Sequence, residues 1–252
     1  MSRLAGRTAL VTGGAQGLGR GIALAFAAEG ADVALADVQD ERARATAVEV
    51  TERGVEAEAF LCDVSVRSEV VAMVQRTIDR FGRIDVLVNC AHRVVSGVAL
   101  EDMTDELMEE SWRSGALGTL ACMQECFPHL RIRGGCIINI GSGAGLEGLG
   151  GYSAYAPVKE AIRCLTKVAA REWGHYGIRV NTLCPHAATP PWEKFASEQP
   201  ERAASFVERT ALGWGPGDPE LHIGRAAVFL ATADSDFVTG QTLFVDGGSY
   251  ML

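Results

Sequence analysis

Thr8-Ala9-Leu10-Val11-Thr12-Gly13-Gly14-Ala15-Gln16-Gly17-Leu18-Gly19 is the stretch whose reading decides the fold. Its first five residues are apolar or β-branched and read as a buried strand. The glycines that follow mark a tight turn, and Gly17–Glu29 carries the apolar spacing of a helix. A glycine turn between a strand and a helix lets backbone approach a pyrophosphate, while the helix N-terminus offers unpaired N–H groups and partial positive charge. The spacing is G-x-x-x-G-x-G rather than G-x-G-x-x-G. Its position between strand and helix is what gives it weight.

Outward from this turn, short β-branched runs alternate with longer amphipathic ones. Asp32–Asp37, Glu56–Cys62, Asp85–Cys90, Cys136–Ile140, Arg179–Cys184 and Thr242–Val245 read as further strands. Segments near Asp40–Arg53, Arg67–Phe81, Thr104–Leu130, Ser153–Trp173 and Pro219–Leu230 read as helices. Strict β–α alternation predicts an α/β fold, a doubly wound parallel sheet of about seven strands with helices on both faces. Neither a repeat nor a flexible linker divides residues 1–252, so one dinucleotide-binding domain is expected. The stretch 186–217 breaks the rhythm with Pro190, Pro191, Trp192, Phe195, Phe206 and Trp214, and reads as an insertion over the carboxyl edge of the sheet.

Composition narrows the function classes. The 252 residues include 48% hydrophobic and 22% charged residues, an ordinary globular balance that excludes a disordered chain. The net charge of −9, with no basic block, argues against nucleic acid as a partner. No apolar run approaches the roughly 20 residues needed to cross a bilayer, and the N-terminal stretch lacks a secretory apolar region, so neither membrane nor export is expected. Seven cysteines without a Cys-x-x-Cys pair read as small hydrophobes in a reducing cytoplasm, and five scattered histidines give no metal site.

Two further features carry chemistry. Asp37 closes the second strand, 18 residues after Gly19, where an acid can chelate the adenosine ribose hydroxyls. Its charge repels a 2′-phosphate, and neither Gln16 nor Val38 supplies a cation to receive one, which predicts NAD over NADP. Tyr155 and Lys159 lie four residues apart on one helix face, about 6 Å along the axis. They follow Gly141-Ser142-Gly143, which ends a buried strand.

With these pieces in place the chain resembles the short-chain dehydrogenase/reductase family, in its NAD(P)-dependent type of about 250 residues. The resemblance rests on Thr12–Gly19, Asp37, Asp63-Val64, Asn89-Cys90-Ala91, Ser142, Tyr155-x-x-x-Lys159, Arg179-Val180-Asn181 with Pro185, and Asp246-Gly247-Gly248, in order over nearly the whole chain. It implies a single Rossmann domain. It also implies that Tyr155 is the general acid/base, that Lys159 holds the nicotinamide ribose and lends its charge to the phenol, and that Ser142 binds the substrate oxygen. A free tyrosine, with a pKa of about 10, needs such a cation to ionise near neutrality. Gly13, Gln16, Gly17, Leu18 and Gly19 would form the cofactor turn, and Asp37 with Val38 would meet the ribose. Asp63 and Val64 would meet adenine, with Asn89 and Ala91 along the adenosine side. Pro185, Ala188 and Thr189 would lie near the nicotinamide. A structural role for Asn89, tying strands together, stays open, and Asn181 is read as structural.

The chain departs from the family's pattern at three places. Gly115 stands where an asparagine is common, putting the usual water-linked proton exit in doubt. His92 and His186 each replace a glycine near the cofactor, and either assists proton transfer, shapes the substrate pocket or merely fills space. Pro190 stands where a threonine is common, with Thr189 beside it. The resemblance implies an NAD-dependent alcohol dehydrogenase/ketone reductase. The substrate would meet Val94, Val95, Ser96, Glu147, Leu149, Tyr152 and the Trp192–Trp214 loop, which are mostly apolar and predict a neutral, apolar small molecule. The alternatives are a dinucleotide-binding protein of little catalysis and a 3-oxoacyl thioester reductase. Surplus apolar residues on Thr104–Leu130, on Ser153–Trp173 and along Phe244–Leu252, together with the family's habits, predict a homotetramer, with a dimer as the fallback.

Overall fold

The computed structural model describes residues 2–251; Met1 and Leu252, the last residue of the predicted apolar tail, lie outside the described residues. The chain opens with β1 (Thr8–Thr12), α1 (Gly17–Ala28), β2 (Asp32–Asp37), α2 (Asp40–Thr51), β3 (Ala57–Leu61), α3 (Arg67–Phe81) and β4 (Val86–Asn89). It continues through α4 (Asp105–Trp112), α5 (Gly118–Leu130), β5 (Gly135–Ile140), α6 (Gly143–Glu147), α7 (Tyr155–Trp173) and β6 (Ile178–Pro185). Helices α8 (Pro190–Glu198), α9 (Pro200–Glu208) and α10 (Arg225–Ala231) then lead to β7 (Thr242–Val245). All strand pairs are parallel, and the sheet runs β3-β2-β1-β4-β5-β6-β7. The strand order reverses between β1 and β4, which opens a crevice at their carboxyl ends.

Alternation along each strand feeds two cores. Val11 and Ile138 face α1 and α10 with Phe26, Ile22 and Leu183. Their neighbours Leu10 and Ile137 face α3 and α5 with Phe60 and Met73. Both strands are buried on each side, which is why they read as continuous apolar runs. Phe26 and Phe60 are fully buried, each worth about 1.5–3 kcal/mol of burial.

The helix expected over Thr104–Leu130 is not uniform. A wide, π-type turn at Arg113–Leu117 separates α4 from α5. Such turns widen a helix locally and often accompany functional sites. The insertion expected at 186–217 is more ordered than a loop. Its base is pinched shut where Ala188 N donates to Gly217 O at 2.8 Å and Gly217 N to His186 O at 2.8 Å. Between these ends α8 and α9 each begin on proline, whose fixed φ suits a first helical position.

Register places four polar residues side by side across the sheet: Thr12 beside Asn89, Asn89 beside Asn139, and Asn139 beside Thr182. Asn89 Nδ2 donates to Asn139 Oδ1 at 2.8 Å, and Asn139 Nδ2 to Thr166 Oγ1 of α7 at 2.9 Å. Thr182 Oγ1 reaches the same Thr166 hydroxyl at 3.0 Å. Asn181, one residue earlier, points to the other face and ties down the approach to β7 through Val238 O and Gln241 N. Replacing Asn139 with Ala strips Asn89 Nδ2 of its acceptor and should destabilise the fold by about 1–3 kcal/mol. The check is the urea midpoint at unchanged slope; a loss below about 0.5 kcal/mol, ordinary for a surface site, contradicts this account of the row.

Candidate active site

The crevice is one continuous cleft of about 1060 Å³, running from the glycine turn to the aromatic residues of α8 and α9. At the glycine turn, α1 starts on Gln16 in extended conformation, and no side chain caps its first N–H groups. Those donors remain available to an anion, and no acidic residue in the first turn opposes it. Gly13 has φ +70°, and a Cβ there would meet Ala91 N at 2.9 Å. A Cβ at Gly19 would fall 2.1 Å from Gly13 O, so the turn closes only with hydrogen at that position. Across the cleft, Thr189 caps α8 through Trp192 N, and its methyl faces Gly17 at 3.4 Å from where a Cβ would be.

Asp37 is buried at the end of β2. One of its carboxylate oxygens accepts from Ala15 N at 3.0 Å and the other from Gln39 N at 2.9 Å. These bonds hold the acid at the lip of the cleft beside Val38, which is 59% exposed. Arg42, one turn into α2, donates to Gln16 Oε1 at 2.6 Å. Neither Gln16 nor Val38 is a cation, but Arg42, 26 residues from Gln16 in sequence and adjacent to it in space, brings one to this corner. Asp63 accepts from Ser65 N and Oγ at 2.8 and 2.7 Å and lines the cleft with Val64.

At the opposite end, the sharp exit of β5 puts Ser142 at the N-cap of α6, and the first turn of α7 brings Tyr155 opposite it. Burial pushes the Tyr155 phenol up to about 12, partly offset by the nearby Ser142 hydroxyl. Lys159 is buried one turn further, and its Nζ donates to Ile140 O at 2.8 Å. Burial pulls that ammonium down to about 8. Lys159 Nζ stands 5.5 Å from the Tyr155 ring centre while it donates to the Ile140 carbonyl.

The structure brings Gly13, Gln16, Gly17, Leu18, Asp37, Val38, Asp63, Val64, Ala91, Ser142, Tyr155, Lys159, Pro185 and Thr189 onto this one cleft. Three residues expected to bind the cofactor are not on its wall. Gly19 acts from behind, by letting Gly13 approach. Asn89 is buried beneath the floor, bonded to Asn139, which favours its structural reading. Ala188 turns into the Gly217 bridge, and its neighbour Ala187 lines the cleft instead.

Sequence reading missed Tyr250, Ser249 and Arg209. The Tyr250 ring packs over Gly143, where a Cβ would lie 2.2 Å from it. Arg209 crosses the Tyr250 ring at 5.7 Å and pairs with Glu147. The only sequence signal was the glycine next to Ser142, which makes room for a ring from 107 residues away. Trp214, expected on the wall, is 72% exposed and outside the cleft.

A family model described as Enoyl-(Acyl carrier protein) reductase matches residues 13–250. The chain belongs to the short-chain dehydrogenase/reductase family. It is 40% identical over 251 residues to a 12alpha-hydroxysteroid dehydrogenase of Clostridium sp., covering 96% of each chain. It is 38% identical over 250 residues to the L-fucose dehydrogenase of Oryctolagus cuniculus, covering 98% of this chain and 86% of that one. The solved structure of an NAD+-bound xylitol dehydrogenase matches with TM-score 0.92 at 28% identity, over 98% of this chain and 100% of that chain. This short-chain dehydrogenase is therefore an oxidoreductase of the alcohol dehydrogenase/ketone reductase kind. No described helix is long and apolar enough to cross a membrane.

Lys159 gives a pH signature against the background of the other buried groups. Burial lowers it on folding, so between about pH 8 and 10 it contributes stability that rises with pH, because the unfolded chain holds the extra proton. Burial raises Cys62, Cys90, Cys122, Cys126, Cys136, Cys184 and Tyr155, and these groups contribute the opposite slope as pH passes their ordinary values, because the folded chain then holds their protons. In denaturant titrations the stability of the parent relative to Lys159→Met should therefore rise between about pH 8 and 10; a difference that does not change with pH would show the lysine to be unperturbed.

Proposed function

We propose that the protein interconverts a secondary alcohol and its ketone with NAD, using Tyr155 as general acid/base. One observation carries this reading: Ser142, Tyr155 and Lys159 converge at one end of the cleft whose other end is an uncapped helix N-terminus behind a glycine turn. A nicotinamide dinucleotide supplies or accepts the hydride when bound. The glycine turn suits its pyrophosphate, Asp37 its adenosine ribose, and Asp63 with Val64 its adenine. Lys159 is placed to reach the nicotinamide ribose once its Nζ leaves the Ile140 carbonyl. On oxidation the alcohol proton passes to the Tyr155 oxygen while Ser142 holds the substrate oxygen; on reduction the phenol returns it. A phenol kept neutral by burial suits proton donation to a ketone. Oxidation requires the lysine charge to turn toward the ring.

The substrate end of the cleft supports a neutral alicyclic alcohol. Trp192 stands at the centre of an aromatic wall, edge-on to His186 at 4.9 Å and to Phe206 at 6.1 Å, with Phe195 at 5.6 Å. Leu149, Val94 and Tyr152 face it. Apolar walls with few polar groups select a ring skeleton by shape. The hydroxysteroid dehydrogenase relative agrees with this reading better than the fucose enzyme, whose sugar needs more hydrogen-bonding partners than this wall offers. NADH formation across a panel of alicyclic alcohols and sugars is the test; sugars turned over faster than alicyclic alcohols would reverse the assignment.

Tyr155→Phe keeps the ring packing and removes the proton, so turnover should fall about 10²–10⁴-fold with NADH binding retained. Activity within about tenfold of the parent would remove Tyr155 from the role. For the cofactor, kcat/KM should favour NAD, and Asp37→Ala with Val38→Arg should relax the preference. The carboxylate is then gone, and a guanidinium joins Arg42 beside the 2′ position. A parent enzyme that prefers NADP would sink the reading of Asp37.

We further infer assembly into a homotetramer, with a dimer as the fallback. Trp112 and Leu117 near the wide turn and Val168 on α7 are exposed apolar residues on the two helices expected to pair. Light scattering should give a mass near a multiple of 26.8 kDa; a mass of one chain would refute the inference.

A further inference from the structure

His92 and Gly115, both departures from the family's pattern, meet at one place. A Cβ on Gly115 would lie 2.8 Å from His92 Nε2 and 3.0 Å from its Cδ2, and 2.3 Å from Val158 Cγ1. The side chain missing at 115 is thus the space the imidazole needs. The ring is held on two further sides. Nε2 lies 3.2 Å from Ser111 O and 3.1 Å from Ser111 Oγ, and the fully buried Ser111 is itself anchored to Ala154 O. The imidazole stacks on the Tyr155 ring with centres 5.3 Å apart and planes 11° from parallel.

A carbonyl oxygen only accepts, so Nε2 carries the hydrogen and Nδ1 presents a lone pair. Nδ1 is buried and has no partner among the described residues. Burial, with a smaller push from the Lys159 charge, drives the imidazole down to about 3, so it stays neutral through the physiological range. A buried acceptor without a donor is costly, and His92 lines the cleft beside the reacting phenol, so the donor that Nδ1 lacks is one the cleft's contents can bring.

We propose that His92 is a positioning residue for proton transfer at Tyr155: stacking holds the phenol ring, and Nδ1 accepts a hydrogen bond from the hydroxyl, of water or alcohol, beside that ring. No proton changes owner on the imidazole. The alcohol proton still goes to the Tyr155 oxygen, and Nδ1 orients the group next to it. The proposal rests on the reading of Tyr155 as general acid/base.

The test is His92→Ala, assayed with the panel alcohol that the parent oxidises fastest. kcat should fall about tenfold or more, with KM and the NADH Kd within about threefold. Imidazole added at millimolar concentration should restore turnover in this variant. Pyrrole, the same ring with an N–H and no lone-pair nitrogen, should not. A kcat within about threefold of the parent overturns the proposal, and so does an equal response to imidazole and pyrrole, whether both restore turnover or neither does. If His92→Ala fails to fold, Gly115→Ala on a Val158→Ala background crowds the ring from inside its hole. Its kcat should fall about tenfold against Val158→Ala alone at unchanged KM, and no fall overturns the proposal. Tyr155→Phe run alongside separates the two readings. Turnover surviving in that variant defeats the acid/base assignment, whereas a dead Tyr155→Phe beside a fully active His92→Ala defeats only the role of His92.

Discussion

Everything at the active end of this enzyme hangs on a row of buried polar side chains laid across the sheet by strand register. Parallel pairing sets Thr12, Asn89, Asn139 and Thr182 abreast, and Thr166 of α7 closes the row from above. In an apolar interior such groups are costly unless each finds a partner, so the row tolerates little slippage. Because Thr166 lies about two turns along α7 from Lys159 and about three from Tyr155, the same bonds fix the rotation and height of the helix that carries both. At the other end Thr12 Oγ1 accepts from Cys90 N and Ala91 N, which sets where the chain leaves β4 and so where His92 begins. The glycine turn, the exit of β4 and the catalytic helix are thus held in one frame by hydrogen bonds, between two apolar cores that supply the bulk of the stability.

Within that frame, burial governs the chemistry. It raises the phenol and lowers the ammonium, so both groups are biased toward their neutral forms, and each charge is tolerated only where a partner is supplied. The Ile140 carbonyl is the partner of Lys159 in this structure, and the Ser142 hydroxyl lies near Tyr155. The two histidines follow the same rule. Neither ring nitrogen of His186 has a partner among the described residues, and burial lowers that imidazole as well. The cleft is thus lined by aromatic rings at one end and by the Asp37 carboxylate at the other.

The cover of the cleft is assembled from distant pieces. α8 and α9 rise from a base pinched at Ala187 and Gly217, and the C-terminal Tyr250 packs over Gly143 from the other side. Arg209 connects these pieces through Glu147 and the Tyr250 ring. Covers of this kind vary in sequence more freely than the sheet, because they answer to the substrate rather than to the register. That is why relatives sharing a third or more of this sequence carry the names of enzymes for substrates as different as a hydroxysteroid and L-fucose.

Alternating strands and helices, apolar runs and the glycine turn were sufficient to read the parallel sheet, its seven strands and the crevice at β1, because periodicity and turn chemistry are local properties. The Tyr155–Lys159 spacing was equally plain, since four residues on a helix always share a face. The wide turn at Arg113–Leu117 was not legible, because α4 and α5 share the same apolar spacing and only packing against Val158 and His92 distinguishes them. The approach of Arg42 to Gln16, of Tyr250 to Gly143 and of His92 to Gly115 were also closed to sequence reading. Each joins residues far apart in the chain, and each depends on a missing Cβ or a helix rotation that only the folded core sets. The sequence by itself determined the architecture and nominated the groups proposed to react. The tertiary structure alone decided which of those groups are charged, what touches them and what covers them, because desolvation and contact are properties of the packed interior and not of the chain.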